Sequence, residues 1–182
     1  MKIDRARFFL PWALAMSAVL AGCASMSKTE CQSADWQLAG LADGRSGLPP
    51  DYINSHQEAC AKAGVTPDVP RWRVGWTEGV TSFCSPNSAW NAGLRNATYY
   101  GVCAGLDEAT FLRYHRAGQL VYRARQDLSK TQAEVTKLED DLKKASKDEE
   151  RKRLRDDLHR ADRERARLTA LLAALELAGP PR

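Results

Sequence analysis

The chain has 182 residues, of which 43% are hydrophobic and 27% are charged, and its 27 Lys and Arg against 23 Asp and Glu give a net charge of +4. Such a nearly balanced charge does not produce the one-sided basic field that nucleic-acid binding requires. We therefore expect no nucleic-acid partner.

Residues 1–22 have the pattern of an export signal, in which the short basic stretch MKIDRAR precedes thirteen apolar residues, FFLPWALAMSAVL. Thirteen residues are too few to span a bilayer as a helix. The stretch LAGC at 20–23 resembles the bacterial lipobox, whose cysteine is acylated and becomes the first residue of the mature chain. We predict a lipoprotein signal peptide at 1–22 and lipid attachment at Cys23. The alternative is an ordinary signal peptide in which this cysteine is incidental.

The predicted anchor would hold the mature chain on a membrane without crossing it, because two or more acyl chains give stable attachment. In lipoproteins of this kind, Asp directly after the cysteine tends to mean retention in the inner membrane, whereas this chain has Ala24 and Ser25. The resemblance therefore implies the periplasmic face of the outer membrane in the bacterial cell envelope. Residues 23–27 are expected to form a lipid-anchored linker.

Four further cysteines, Cys31, Cys60, Cys84 and Cys103, lie in the first half of the chain. An even number of cysteines in an exported protein predicts disulfide bonds. Cys31 and Cys60 flank a turn at Gly47 almost symmetrically, so an antiparallel helical hairpin would join them and leave Cys84 to pair with Cys103. A crossed pairing stays open, because sequence alone cannot fix connectivity. The bridges are expected to staple a helical head at 28–105, which is too small to bury a large core.

Cys60 could instead belong to a metal site at HQEAC, residues 56–60, but this interpretation is weaker than the disulfide. His56 and Cys60 share a helical face, but a zinc site needs three or four ligands. We expect no metal and no cofactor.

An aromatic and glycine pattern recurs in the head. WRVGWTEG at 72–79 and WNAGLRNA at 90–97 share it, and Trp36 stands before GLADG at 40–44 in a similar way. The helical spacing favours helices whose small residues pack closely against another helix. Near-alternation within 71–84 leaves a strand open for that segment alone. The predicted helix-packing motif consists of Trp36, Gly40, Gly44, Trp72, Gly75, Gly79, Trp90, Gly93 and Ala97.

Boundary signals predict four helices in the head. Ser27 and Glu30 have capping-box spacing at the first, and Pro49, Pro50 and Asp51 open the second. Asp68 and Pro70 open the third, and CSPNS at 84–88 precedes the fourth.

The composition changes after about Asp107, since residues 122–178 contain 28 charged residues of 57 and no Pro, Gly or Cys. Two heptad-like leucine seams are separated by the charged stretch SKDEERKR at 146–153. We predict a coiled-coil tail at 106–178 folded as an antiparallel hairpin, and a disordered C-terminus at 179–182. One continuous helix, with its seam open to a second chain, is the alternative. The seams are Leu128, Val135, Leu138, Leu142 and Ala145, and then Leu154, Leu158, Ala161, Leu168, Leu172 and Leu175.

These features together resemble a known family. The lipobox, Cys31 with DWQLAGLADG, HQEAC, WRVGWTEG ending in Cys84, YYGVC and the charged tail are similar to the bacterial lipoproteins catalogued as domain of unknown function 2799. The resemblance covers the head and the start of the tail. It implies a periplasmic lipoprotein with four matching cysteines, and it transfers no activity to any residue.

The sequence thus predicts an all-α, non-enzymatic envelope lipoprotein that acts as a structural or protein-interaction module. Its expected partners are the membrane, through the lipid, and an envelope protein or a second copy, through the tail. The alternative is a small-ligand binder or enzyme that uses the head, with Asp43 and Glu78 as acid and base if the fold brings them together. Its candidate residues are Trp36, Asp43, His56, Trp72 and Glu78.

Overall fold

The computed structural model describes residues 25–181, and this part of the chain is helical without strands. The predicted all-α class is confirmed, and the strand alternative for 71–84 is wrong because that segment lies in a helix and its C-cap. The predicted signal peptide and Cys23 lie outside the described residues. The helices are α1 (Lys28–Ser33), α2 (Trp36–Arg45), α3 (Ile53–Ala61), α4 (Val69–Phe83), α5 (Pro86–Leu94), α6 (Glu108–Lys144) and α7 (Asp148–Ala178), with a 3-10 turn at Pro50–Tyr52 before α3.

The first predicted helix is two helices. Ser27 and Glu30 form the expected capping box at the start of α1. Ala34 is extended, however, and the Asp35 carboxylate accepts the backbone N–H groups of Gln37 and Leu38 at the start of α2. An Asp that satisfies free N–H groups is a strong helix start, and here it overrides the continuous helix that we predicted.

The head contains two packed helix pairs, α2 with α4 and α5 with α6. Each pair adjoins one core cluster that includes disulfide-bonded cysteine. The first cluster contains Cys31, Trp36, Ile53, Cys60 and Trp72. The second contains Phe83, Ala89, Ala92, Cys103 and Phe111. Two small cores fit the limited burial that a domain of this size achieves.

The tail begins inside the head. Phe111 of α6 is buried in the second core cluster and Gly118 lies against α5, so the predicted boundary after residue 105 does not separate the packing of the head from that of the tail. α6 has 37 residues and is about 55 Å long.

α7 folds back along α6 as the predicted antiparallel hairpin, and Arg125 of α6 forms an ion pair with Glu176 of α7. The turn between the two helices is short, from Ala145 to Lys147. Val135, Ala161 and Leu168 of the predicted seams are buried, and the other seam residues are half-buried. Ala124 and Thr131 are also buried in this hairpin.

Candidate functional site

Glycines bring helices α2 and α4 into backbone contact. Gly40 faces Gly75 and Gly44 faces Gly79, so the two helices run parallel. A Cβ atom added at Gly40 would lie less than 3.0 Å from the carbonyl oxygen of Trp72, and one added at Gly75 would meet the carbonyl oxygen of Gln37 in the same way. Only hydrogen atoms fit between these backbones. The glycines of the predicted motif therefore allow the backbones of α2 and α4 to touch, and this contact needs glycine on both helices.

Helices α5 and α6 repeat this contact at a single pair. A Cβ at Gly93 would meet the carbonyl oxygen of His115, and one at Gly118 would meet that of Trp90. The positions relative to each glycine are the same as in α2 and α4. The aromatic and glycine repeat does not predict Gly118, because no tryptophan precedes it at the repeat spacing. A glycine inside an otherwise strong helical sequence was the available signal.

Ala97 does not belong to the packing motif. α5 ends at Leu94, since Asn96 adopts φ +53 and its N–H bonds back to the carbonyl of Gly93. Asn tolerates this left-handed conformation better than most residues. Ala97 lies beyond the helix end, and its carbonyl accepts a hydrogen bond from Nε2 of the buried His115 at 2.9 Å.

A partly buried hydrogen-bonded network joins three helices and the N-terminal segment. Oδ2 of Asp43 in α2 lies 2.8 Å from Nε2 of His56 in α3 and 2.8 Å from Nε1 of Trp72 in α4. Oγ of Ser25 lies 2.9 Å from Nδ1 of His56. His56 is 4% exposed and Trp72 is 0% exposed. Asp43, His56 and Trp72, three of the candidate residues for a ligand-binding or enzymatic head, therefore lie in one network.

The carboxylate fixes the direction of the network. A carboxylate only accepts hydrogen bonds, so Nε2 of His56 and Nε1 of Trp72 both donate to Asp43. In the neutral imidazole, Nδ1 then accepts the hydroxyl of Ser25. Trp36 and Tyr52 pack on the same imidazole, with Tyr52 edge-on at 5.2 Å between ring centroids.

Ser25, His56 and Asp43 stand in the order of a nucleophile, base and orienting acid. The same network, however, satisfies every ring nitrogen of the buried His56 and ties three helices together. Burying these groups unpaired would cost about 1–3 kcal/mol for each. The network thus links α2, α3 and α4, and Ser25 closes it at the N-terminal end.

The other enzymatic candidate lies elsewhere. Glu78 is exposed on α4, whereas Asp43 points into the network. The structure therefore gives no pairing of these two carboxyl groups as acid and base.

A second polar group holds the loop between α5 and α6. The hydroxyl of Tyr99 donates to Oε1 of Glu108 at 2.6 Å and accepts the backbone N–H of Cys103. Burial, together with the hydrogen bond to Glu108, raises the pKa of Tyr99 to about 12. This loop carries the cysteine that closes the second disulfide.

The four cysteines form two bridges, Cys31–Cys60 and Cys84–Cys103, which are the pairs that the sequence spacing favours. Their Cα atoms lie 5.4 Å and 5.5 Å apart. Helix α5 has only nine residues, so residues 95–102 can turn back and bring Cys103 to Cys84. Since Cys60 is oxidised, it offers no thiolate to a metal ion at HQEAC. Within residues 25–181, no three His, Cys, Asp or Glu side chains are grouped for metal binding.

The tail hairpin presents a charged surface. Its ion pairs are mostly between residues three or four apart on one helix, as for Lys137 with Asp141 and Lys143 with Asp140. Hydrogen bonds to Asp raise the pKa values of both lysines. Exposed pairs of this kind stabilise little. In the described part of the chain, no helix combines the length and the apolar character needed to cross a membrane.

Residues 35–120 match a family model described as "Protein of unknown function (DUF2799)". None of the curated proteins and none of the solved structures gives a significant match to the chain. The matched region runs from the cap of α2 to just past Gly118, so it contains both glycine-paired helix contacts. Its end within α6 agrees with the packing, which places the first turns of that helix in the head.

Proposed function

We propose that this protein, whose residues 35–120 match the model of the DUF2799 family, is a non-enzymatic lipoprotein of the bacterial cell envelope that acts as a structural or protein-interaction module. Its anchor is a lipid on Cys23, and it sits on the periplasmic face of the outer membrane. The stretch LAGC at 20–23 carries this proposal, because it supplies the cysteine that a lipoprotein signal requires.

The oxidised cysteines support an exported protein. Each bridge contains a fully buried cysteine, since Cys60 and Cys103 are both at 0% exposure. Structural disulfides persist in oxidising compartments such as the periplasm and are rare in the cytosol.

The hairpin supports an interaction role. Beyond its contact with α5, helix α6 continues from residue 122 to 144, or about 34 Å, and α7 is its main packing partner there. Two helices alone leave most of their seam leucines half-buried. An envelope protein or a second copy of the chain would cover them.

We expect the mature protein, extracted from membranes and measured by intact mass spectrometry, to begin at Cys23 and to carry acyl chains on that residue and two disulfides. Acylation and cleavage at one cysteine follow from the proposed signal, and the mass reports both. As a control, a Cys23→Ala variant is expected to keep the leader and gain no acyl mass. A native protein that begins elsewhere, or whose Cys23 is unmodified, would contradict the proposal.

A further inference from the structure

Three consecutive residues beside the proposed lipidation site are held by the head. Ser25 is hydrogen-bonded to His56, Met26 packs against the first core cluster, and Ser27 caps α1 together with Glu30. Residues 25–27, which we predicted as part of a linker, are therefore part of the fold.

The attachment of Ser25 is shared among helices. Ser25 is bonded to His56 of α3, and His56 is bonded to Asp43 of α2. Asp43 also accepts a hydrogen bond from Trp72 of α4, and all three bonds are 2.8–2.9 Å long. The Cys31–Cys60 bridge adds a covalent link between α1 and α3. A force on the N-terminal segment would thus act on the whole first half of the head.

We propose that this segment mounts the head directly on the bilayer, so that the face around Ser25 rests against lipid headgroups. The inference rests on the proposed lipidation of Cys23. Consecutive Cα atoms are about 3.8 Å apart, so the Cα of Cys23 stays within about 8 Å of that of Ser25. The half-buried phenol Tyr52, edge-on to His56, suits this position because tyrosines favour the membrane–water interface.

Energy transfer from tryptophan to a labelled lipid tests how close the head lies to the membrane. The four tryptophans of residues 25–181 all lie in the head and serve as donors, and two of them, Trp36 and Trp72, lie next to the network. The full-length acylated protein is reconstituted in vesicles of phosphatidylethanolamine and phosphatidylglycerol that contain dansyl-phosphatidylethanolamine. We expect efficient transfer. Ten Gly and Ser residues inserted between Ala24 and Ser25 add a root-mean-square length of about 17 Å and remove most of the transfer.

A matched insertion provides the control. The same ten residues placed between Ser146 and Lys147, in the turn of the hairpin, are expected to leave the transfer unchanged. Protein that fails to float with the vesicles in a gradient would overturn the lipid anchor itself. Protein that floats, but whose transfer does not respond to the N-terminal insertion, would overturn the mount alone.

A single hydroxyl tests the bond that fixes the segment. Ser25→Ala is expected to speed amide hydrogen exchange at Ser27, whose N–H donates to Oε2 of Glu30, at least about tenfold in the vesicle-bound protein, because the exchange rate of a protected amide reports how often its segment opens locally. Ser33→Ala is the control, because its hydroxyl bonds only within α1, to Thr29. Equal exchange in the native protein and in Ser25→Ala would show that the hydroxyl does not hold the segment, and would overturn the mount.

Discussion

Replacing Gly75 with alanine is expected to lower the free energy of unfolding of the head by about 2–3 kcal/mol, the cost of overpacking a tight core. The added methyl would meet the carbonyl oxygen of Gln37 and the backbone nitrogen of Leu41, neither of which can rotate away. A destabilising effect would distinguish this contact from an ordinary helix, in which Gly→Ala stabilises by close to 1 kcal/mol. Thermal unfolding, followed by circular dichroism and calorimetry, measures it.

Thr77→Ala is the control on the same helix, since Thr77 is exposed and its hydroxyl bonds only to the carbonyl of Arg73, one turn earlier. We expect it to change stability little. If Gly75→Ala raised the melting temperature instead, the close contact between α2 and α4 would be wrong.

Removing the first disulfide in a Cys31→Ala, Cys60→Ala variant is expected to cost about 3–4 kcal/mol. The bridge closes a loop of 29 residues, and the loop-entropy relation gives this magnitude for such a length. The second bridge closes 19 residues, so its removal is expected to cost about 3 kcal/mol. Denaturant unfolding of each variant under oxidising conditions gives the values.

Reductant supplies the control for the bridges. It should destabilise the native protein strongly and leave a variant without all four head cysteines unchanged. Each variant that lacks one bridge keeps the other, so its remaining sensitivity to reductant measures the contribution of the bridge that it keeps. A native head that keeps its stability in reductant would contradict the view that the bridges compensate for two small cores.

Local signals predicted much of the fold. The capping box of Ser27 and Glu30, and the cap by Asp68 at the start of α4, depend on residues close in sequence, and both are present. Chain distance favoured the two disulfide pairs that the structure contains, while a crossed pairing stayed open. The charged stretch between the two leucine seams favoured the hairpin over one continuous helix.

Long-range partners could not be predicted in the same way. The spacing of Gly40 and Gly75 shows that each lies on a close-packing face, but it does not say that they face each other across a parallel pair. The bond from Ser25 to His56 spans 31 residues, and no periodic pattern records it. Asp43, His56 and Trp72 were identified as chemically notable residues, yet only the fold shows that they share one network. The break at Ala34 was missed because apolar periodicity does not report a competing cap.

The most direct test of the interaction role is photo-crosslinking in intact cells from single sites of the full-length protein. A photoreactive residue replaces Lys130, whose side chain is 78% exposed on α6. A matched one replaces Glu78, which is exposed on α4 of the head. We expect the site at 130 to capture one defined envelope protein or a second copy of the chain, identified by mass spectrometry, and the site at 78 to capture neither. Equal capture from both sites, or none from the tail, would contradict the account in which the tail hairpin is the contact surface.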